Sequence, residues 1–141
     1  FNKLFPDELY TPADVLKIPD ETIRGVGISY SKIKYIKDLS QKTLDKFLDF
    51  ENIHTLSDED VMSHLVQVKG IGPWSAEMFM MFVLHRDDIF STGDLGLKNA
   101  MIKLYKLRKP TPKRLAQLSK KWAPYRTWAA RYLWMSLDLK L

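Results

Sequence analysis

Two glycines and a proline mark a stretch of this sequence whose backbone N–H groups could bind an anion. Residues 65–76 read Leu-Val-Gln-Val-Lys-Gly-Ile-Gly-Pro-Trp-Ser-Ala, and Gly70-Ile71-Gly72 separates two predicted helices. Glycine adopts positive φ readily and lets another backbone approach closely. The helix that begins at Pro73 presents unpaired N–H groups at the positive end of its dipole, which favours an anion such as a phosphodiester. A glycine cap that merely joins two antiparallel helices would have the same pattern.

A second candidate group is the carboxylate of Asp94, which follows Gly72 by 22 residues. It lies in the sequence Ser-Thr-Gly-Asp-Leu-Gly, residues 91–96, where a helix is predicted to begin. An aspartate at this position usually caps the helix by accepting a backbone N–H. Asp94 is also the last acidic residue before 43 residues that contain none, so its charge borders a strongly basic segment.

The charge of the chain is divided unevenly. Residues 1–94 contain 10 Lys and Arg against 16 Asp and Glu, whereas residues 95–137 contain 11 Lys and Arg and no acid. A strongly basic half indicates a polyanionic partner, and nucleic acid before a membrane. A solvated basic face is the alternative.

The composition excludes several classes of protein. The chain has 141 residues, 45% of them hydrophobic, which is enough for one domain with a core. It contains no cysteine, which rules out disulfides, cysteine nucleophiles and cysteine-ligated zinc or iron–sulfur centres. His54, His64 and His85 are scattered, so we expect no metal site among them. The longest apolar run, residues 78–84, is too short to span a bilayer, and no signal peptide is evident, so we expect an intracellular protein.

Cap and proline signals recur, and alternating β-branched runs are missing, so we predict an all-α fold in one compact helical domain. Thr11-Pro12 and Thr111-Pro112 place a cap before a proline at the first helical position. Asp20, Ser29 and Ser57 are further candidate caps. The predicted helices cover about residues 12–18, 20–25, 42–50, 58–70, 73–84, 94–105, 112–122 and 126–137, and Ser29 opens a longer one with Ile33, Ile36 and Leu39 on one face.

The order of these motifs resembles a known family. Leu65 and Val68 before the glycines, with Ala76 after them, have the spacing of a helix–hairpin–helix. This hairpin followed by Gly-Asp-Leu-Gly resembles the helix–hairpin–helix DNA glycosylase superfamily. Residues 122–126 and 132–134 are similar to the end of the same family. Together the pattern resembles the 3-methyladenine DNA glycosylase II, or alkylation-repair, branch over nearly the whole chain.

The resemblance implies that Asp94 is the catalytic aspartate of a base excision repair enzyme acting on alkylated double-stranded DNA. Cleavage of an N-glycosidic bond builds positive charge on the sugar, which a carboxylate stabilises while it orients or deprotonates water. Glycoside hydrolases normally need a second carboxyl to protonate the leaving group. An alkylated purine such as 3-methyladenine or 7-methylguanine is already cationic, so it leaves without that acid.

The same resemblance assigns the base pocket to Trp74, Met78 and Trp134. Relatives that also nick the strand have a lysine at the position of Trp74, so the tryptophan predicts a monofunctional enzyme. Indole faces attract cationic rings, although both tryptophans could simply pack in the core. Met78 occupies a position where some relatives carry another aromatic residue.

The resemblance also implies contacts with the DNA backbone and with an ion. The backbone-binding residues would be Lys69, Gly70, Ile71, Gly72 and Arg126. A monovalent cation, Na⁺ or K⁺, would be held by the backbone carbonyls of Val66, Val68 and Ile71. We expect no other cofactor.

Family members carry a further helix, and often a β-domain, before the region where this chain begins. We therefore expect residues 1–141 to be a glycosylase domain that lacks those parts, and a monomer if the domain is complete. A domain without those parts could bind DNA and yet be inactive by itself, so the expected activity is that of the parent protein. The main alternative is a non-catalytic helix–hairpin–helix module that binds DNA. An all-helical protein-interaction domain without a nucleic-acid role is the third possibility.

Overall fold

The computed structural model describes residues 1–138, and that part of the chain contains helices and no strand. Its eight α-helices are Pro12–Lys17 (α1), Asp20–Gly25 (α2), Tyr30–Leu44 (α3), Asp58–Leu65 (α4), Pro73–Phe82 (α5), Leu95–Tyr105 (α6), Pro112–Ser119 (α7) and Arg126–Asp138 (α8). Single 3-10 turns cover Asn2–Leu4, Pro6–Glu8, Ile53–Thr55 and Lys120–Trp122. The all-α prediction is confirmed. Across residues 1–138, no helix has both the length and the apolar character needed to cross a membrane.

Local side-chain chemistry starts most of these helices where the sequence predicts. Thr11 and Asp14 form a reciprocal capping box at the start of α1. Ser57 accepts the N–H of Asp60 at 3.1 Å, and Thr111 accepts the N–H of Arg114 at 3.2 Å. These bonds satisfy N–H groups that have no partner within their own helix.

The predicted helix over residues 42–50 is wrong. Helix α3 continues to Leu44, Asp45 ends it, and Lys46 has a φ of 56°, which the interior of a right-handed helix does not allow. Three helix ends also come earlier than predicted: α4 ends at Leu65, α5 at Phe82 and α7 at Ser119. Asp20 is the first residue of α2, and Pro19 occupies the cap position.

The chain divides into two compact units, Phe1–Gly72 and Pro73–Leu141. In the first unit, α1 and α2 both pack against α3. In the second unit, α6 packs against α8. The fully buried side chains include Ile23, Ile33, Val61 and Leu65 of the first unit and Leu97, Met101, Leu115 and Ala130 of the second. The glycines of the hairpin close the first unit, and α5 opens the second.

Candidate active site and nucleic-acid interface

Asp94 caps α6, so the capping interpretation of this residue is correct. Its Oδ1 accepts the N–H of Leu97 at 2.8 Å. A backbone donor has a fixed direction, so this bond orients the carboxylate relative to the helix axis. The side chain is half-buried, which leaves part of the carboxylate accessible.

Two indoles also donate hydrogen bonds to the same carboxylate. Trp74 Nε1 donates to Oδ2 of Asp94 at 2.8 Å, and Trp134 Nε1 donates to Oδ1 at 2.8 Å. These tryptophans lie on α5 and α8, at separations of 20 and 40 residues from Asp94 along the chain. The three residues singled out in the sequence therefore form one cluster. An indole N–H lies in the plane of the ring, so these bonds engage the edge of each indole and not its faces.

This hydrogen bonding keeps Asp94 ionised. Partial burial raises the pKa of Asp94, but the hydrogen bonds from the Leu97 N–H, both indoles and the Gly96 N–H outweigh burial and hold the pKa below its ordinary value. Each of these donors favours the charged form of the carboxylate. At neutral pH the site therefore carries one oriented negative charge.

Gly96 makes room for this arrangement. A Cβ at Gly96 would lie 2.9 Å from Cδ1 and 3.0 Å from Nε1 of Trp134, and 3.1 Å from Oδ1 of Asp94. These separations are shorter than ordinary van der Waals contacts, so any larger residue at this position would have to displace the indole. Gly96 belongs to the Gly-Asp-Leu-Gly motif, and its spacing role for the indole could not be predicted from that motif.

Glu77 is a second carboxylate that the sequence analysis missed. It lies on α5, three residues after Trp74, and accepts a hydrogen bond from the Ser91 hydroxyl. Burial raises the pKa of Glu77, the Ser91 hydrogen bond lowers it, and the negative charge of Asp94 raises it further. The available sequence signal was that Glu77 is the single charged residue of α5, in which Ser75 is the one other polar residue.

An aromatic surface accompanies the carboxylate in the second unit. The side chain of Trp74 is 51% exposed, and that of Phe82, two turns later on α5, is 47% exposed. The Phe82 ring centroid lies 6.0 Å from that of Trp134, with the ring planes tilted by 31°. Met78 lies between them on α5 and is half-buried. Phe82 is a further aromatic residue that the sequence analysis did not single out.

The hairpin turns tightly at the end of the first unit. Gly70 has a φ of +84°, and a Cβ there would collide with the ring of Tyr35. The N–H of Ile71 donates to the Val68 carbonyl at 3.0 Å. The N–H of Lys69 donates to Oδ2 of Asp38 at 2.9 Å. Of the three hairpin amides that were expected to face DNA, that of Ile71 thus already has an acceptor within the chain.

Two predicted phosphate-binding side chains differ in their availability. Lys69 lies 3.6 Å from Oδ1 of Asp38, yet its side chain is 71% exposed. Arg126, by contrast, makes two hydrogen bonds to Asp88, from Nε at 2.7 Å and from Nη2 at 2.8 Å. The paired guanidinium holds the pKa of Asp88 below its ordinary value. A phosphate at Arg126 would have to share this guanidinium with Asp88.

The basic segment is exposed where α6 ends and α7 follows. The exposed cations of residues 95–137 are Lys103, Lys106, Arg108, Lys109, Lys113, Arg114, Lys120, Lys121 and, on α8, Arg131. Lys121 lies over the ring of Tyr105, 4.2 Å from its centroid. Among residues 1–138, no group of three or more His, Asp or Glu side chains is arranged to hold a metal ion.

This combination of helices, glycine hairpin and capped aspartate defines the class of the chain. Residues 1–124 match the model of the HhH-GPD superfamily of base excision DNA repair proteins, and the chain belongs to this family. It is similar to DNA-3-methyladenine glycosylase 1 of Schizosaccharomyces pombe, with 36% identity over 131 residues. It is also similar to the alkylbase DNA glycosidase-like protein mag2 of the same yeast, with 35% identity over 130 residues. These alignments cover 92% and 91% of this chain.

Solved structures agree with this assignment. The S. pombe 3-methyladenine DNA glycosylase Mag1 in complex with abasic DNA superposes with a TM-score of 0.87 and 34% identity, covering 99% of this chain and 69% of that one. A DNA-3-methyladenine glycosidase from Bacillus halodurans superposes with a TM-score of 0.82 and 38% identity, covering 92% and 60%. The chain spans only 58% and 61% of the length of the two yeast relatives named above.

Proposed function

We propose that this chain is the helical domain of a monofunctional DNA glycosylase that hydrolyses the N-glycosidic bond of alkylated purines. The observation that carries the proposal is the Asp94 carboxylate, held ionised by two indole N–H groups beside exposed aromatic surface. The repair enzymes to which the chain is similar support the same conclusion.

The chemistry follows from the charge of Asp94. As the glycosidic bond breaks, positive charge develops on the sugar, and an anion fixed beforehand stabilises that state without reorganising. The same carboxylate can orient or deprotonate the attacking water. Since Asp94 titrates below its ordinary range, it is ready for this role at neutral pH. The cationic purine leaves without protonation, so this step needs no second acid.

Substrate recognition would use the aromatic faces. The target base must leave the duplex to expose its sugar to Asp94. The faces of Trp74 and Trp134 would then hold the cationic ring, each contact being worth roughly 0.5–2 kcal/mol. Met78 and Phe82 would complete the apolar wall. A neutral, undamaged purine would lack both the charge that these rings attract and the ability to leave unaided.

The DNA strand would be held by backbone amides and by positive charge. Gly70 and Gly72 would donate N–H groups to a phosphate, and the exposed ammonium of Lys69 lies beside them in sequence. The cations of residues 95–137 would add sequence-independent attraction to duplex DNA. Arg126 stays a proposed ligand that would bind phosphate together with Asp88.

We further propose that the hairpin carbonyls of Val66, Val68 and Ile71 bind Na⁺ or K⁺. The Val68 carbonyl accepts the N–H of Ile71 in the turn, and a carbonyl oxygen has a second lone pair that a cation could use. A bound cation would add positive charge next to the phosphate site. Duplex affinity measured in potassium, sodium and tetramethylammonium salts at equal ionic strength tests this assignment, and equal affinities would contradict it.

The decisive experiment measures release of 3-methyladenine and 7-methylguanine from methylated duplex DNA by wild type and Asp94→Asn. Asparagine caps helices well, so the variant should fold. Its amide nitrogen cannot accept an indole hydrogen bond or stabilise a cation, so we expect base release to be abolished and DNA binding to persist. Asp45→Asn, which removes an exposed carboxylate from the first unit, is the matched control.

Two results would contradict the proposal. Turnover by Asp94→Asn at the wild-type rate would remove the aspartate from the mechanism. Duplex binding by the wild type without any base release would instead favour a non-catalytic DNA-binding module. A borohydride trapping assay tests monofunctionality: since Trp74 offers no amine, we expect no covalent enzyme–DNA adduct.

A further inference from the structure

Helix α5 hydrogen-bonds to residues 91–94 through Trp74, which belongs to the proposed chemistry, and through Glu77, which does not. Trp74 donates its indole N–H directly to the Asp94 carboxylate. Glu77, nearly one turn further along the same helix, accepts the hydroxyl proton of Ser91. Ser91 is completely buried and precedes Asp94 by three residues.

Ser91 is the first residue and Asp94 the last residue of one turn. The N–H of Asp94 donates to the Ser91 carbonyl at 3.4 Å, which is a long hydrogen bond that closes the turn Ser91–Asp94 weakly. Two residues connect Ser91 to Asp94, so the group that anchors Ser91 limits where the backbone of Asp94 can lie. A buried hydroxyl needs a partner, and the Glu77 carboxylate is an acceptor for it.

We propose that Glu77 is a positioning residue that aligns Asp94 through Ser91. Glu77 and Trp74 share a rigid helix, so α5 sets both the start of the turn and the direction of the carboxylate at its end. Partial burial is the main cause of the raised pKa of Glu77, which agrees with a carboxyl group that is shielded from solvent where it accepts the Ser91 hydroxyl. The inference rests on the proposed glycosylase function for its kinetic consequence.

The test compares Glu77→Gln, Glu77→Leu and Ser91→Ala. Glutamine keeps an oxygen that accepts a hydrogen bond from the Ser91 hydroxyl. We therefore expect the rate of single-turnover base release by Glu77→Gln, at saturating DNA, to stay within about 3-fold of the wild-type rate. Leucine removes the acceptor, and a displaced catalytic group costs on the order of 10- to 100-fold in that rate. We expect DNA affinity to be unchanged in all three variants. Ser91→Ala, a smaller change, should lower the rate in the same direction.

A spectroscopic readout makes the test independent of activity. The indole ¹⁵N–H signals of Trp74 and Trp134 report their hydrogen bonds to Asp94. We expect both signals to shift in Glu77→Leu and in Ser91→Ala, and to stay near their wild-type positions in Glu77→Gln. Glu59→Leu, at an exposed glutamate of α4, is the matched control for the change of side chain.

The outcomes separate this inference from the proposed function. A lack of base release by the wild type would bear on the glycosylase proposal alone, and the indole signals would still decide the role of Glu77. Wild-type rates and unshifted indole signals in folded Glu77→Leu or in Ser91→Ala would overturn the positioning role. So would a Glu77→Gln variant as impaired as Glu77→Leu, since charge would then matter more than the hydrogen bond.

Discussion

Replacing Gly96 with alanine isolates the steric requirement of the Asp94 cluster. Gly96 lies in the first turn of α6, where alanine would ordinarily stabilise the helix by about 0.5–1 kcal/mol. Its Cβ would, however, lie 2.9 Å from Cδ1 of Trp134, and carbon atoms in ordinary contact are at least about 3.5 Å apart. The indole must therefore move by roughly half an ångström or more.

Displacing the indole should change both the free energy of unfolding and the rate of base release. Inserting a methyl group into a filled site costs about 1–3 kcal/mol, which exceeds the helical gain and predicts a net loss of about 1 kcal/mol in the free energy of unfolding. A hydrogen bond to a charged group contributes about 1.5–3 kcal/mol. Losing the bond from Trp134 to Asp94 would thus lower single-turnover base release by about 10- to 100-fold.

The assay is base release from methylated duplex DNA, with a thermal melt and the ¹⁵N–H signal of Trp134 measured on the same samples. Gly93→Ala is the matched control, since a Cβ at Gly93 has nothing within 4 Å and adjoins the same aspartate. We expect the control to behave as wild type. The reasoning is refuted if Gly96→Ala keeps the wild-type rate and an unshifted Trp134 signal, or if Gly93→Ala is equally impaired.

Three further predictions concern the turn, the charge of the site and the basic segment. Gly70→Ala should lower the free energy of unfolding by about 1–3 kcal/mol because of its positive φ and the collision of a Cβ with a neighbouring ring, whereas Gly72→Ala, with open space, should be nearly neutral in chemical denaturation. Asp94 has a lower pKa in the folded chain than when unfolded, so its charge stabilises the fold above the unfolded pKa, and this contribution is lost as the pH falls through the folded pKa. The difference in unfolding free energy between wild type and Asp94→Asn should therefore be constant from about pH 5 to 8 and shrink below about pH 4, and an equal difference at pH 3 and pH 7 in urea titrations would contradict the assignment. Replacing Lys106 and Lys109 with glutamine should weaken duplex binding and flatten the dependence of log K on log salt by up to about 2 units, whereas an equal change of charge on α3 should leave the slope unaltered. The α3 control replaces Lys32 and Lys34.

The helices could be predicted wherever a local signal starts or ends them. Thr11 and Thr111 cap helices whose first residue is proline, and both helices begin where expected. The helix predicted over residues 42–50 was wrong because this stretch has no local signal of that kind. Nothing in the local sequence distinguishes a helix that continues to Leu44 and then turns from one that restarts at Lys42. The left-handed Lys46 that ends the pattern depends on how the following residues pack.

The candidate site was predictable in its members and not in their arrangement. Asp94, Trp74 and Trp134 could be named by family resemblance, but no pattern indicated that both indoles donate to one carboxylate. Arg126 shows the same limit, because its pairing with Asp88 joins residues 38 positions apart.

The sequence by itself determined the helix caps, the glycine hairpin and the uneven division of charge. The caps and the hairpin each involve only a few neighbouring residues. Capping bonds and backbone preferences involve groups close together in the chain, so residue type and spacing are sufficient to predict them. Only the tertiary structure decided that α5, α6 and α8 bring Trp74, Asp94 and Trp134 together, that Gly96 leaves room for the indole, and that Glu77 reaches Ser91. Those contacts depend on how whole helices pack, and packing is a property of many distant side chains at once.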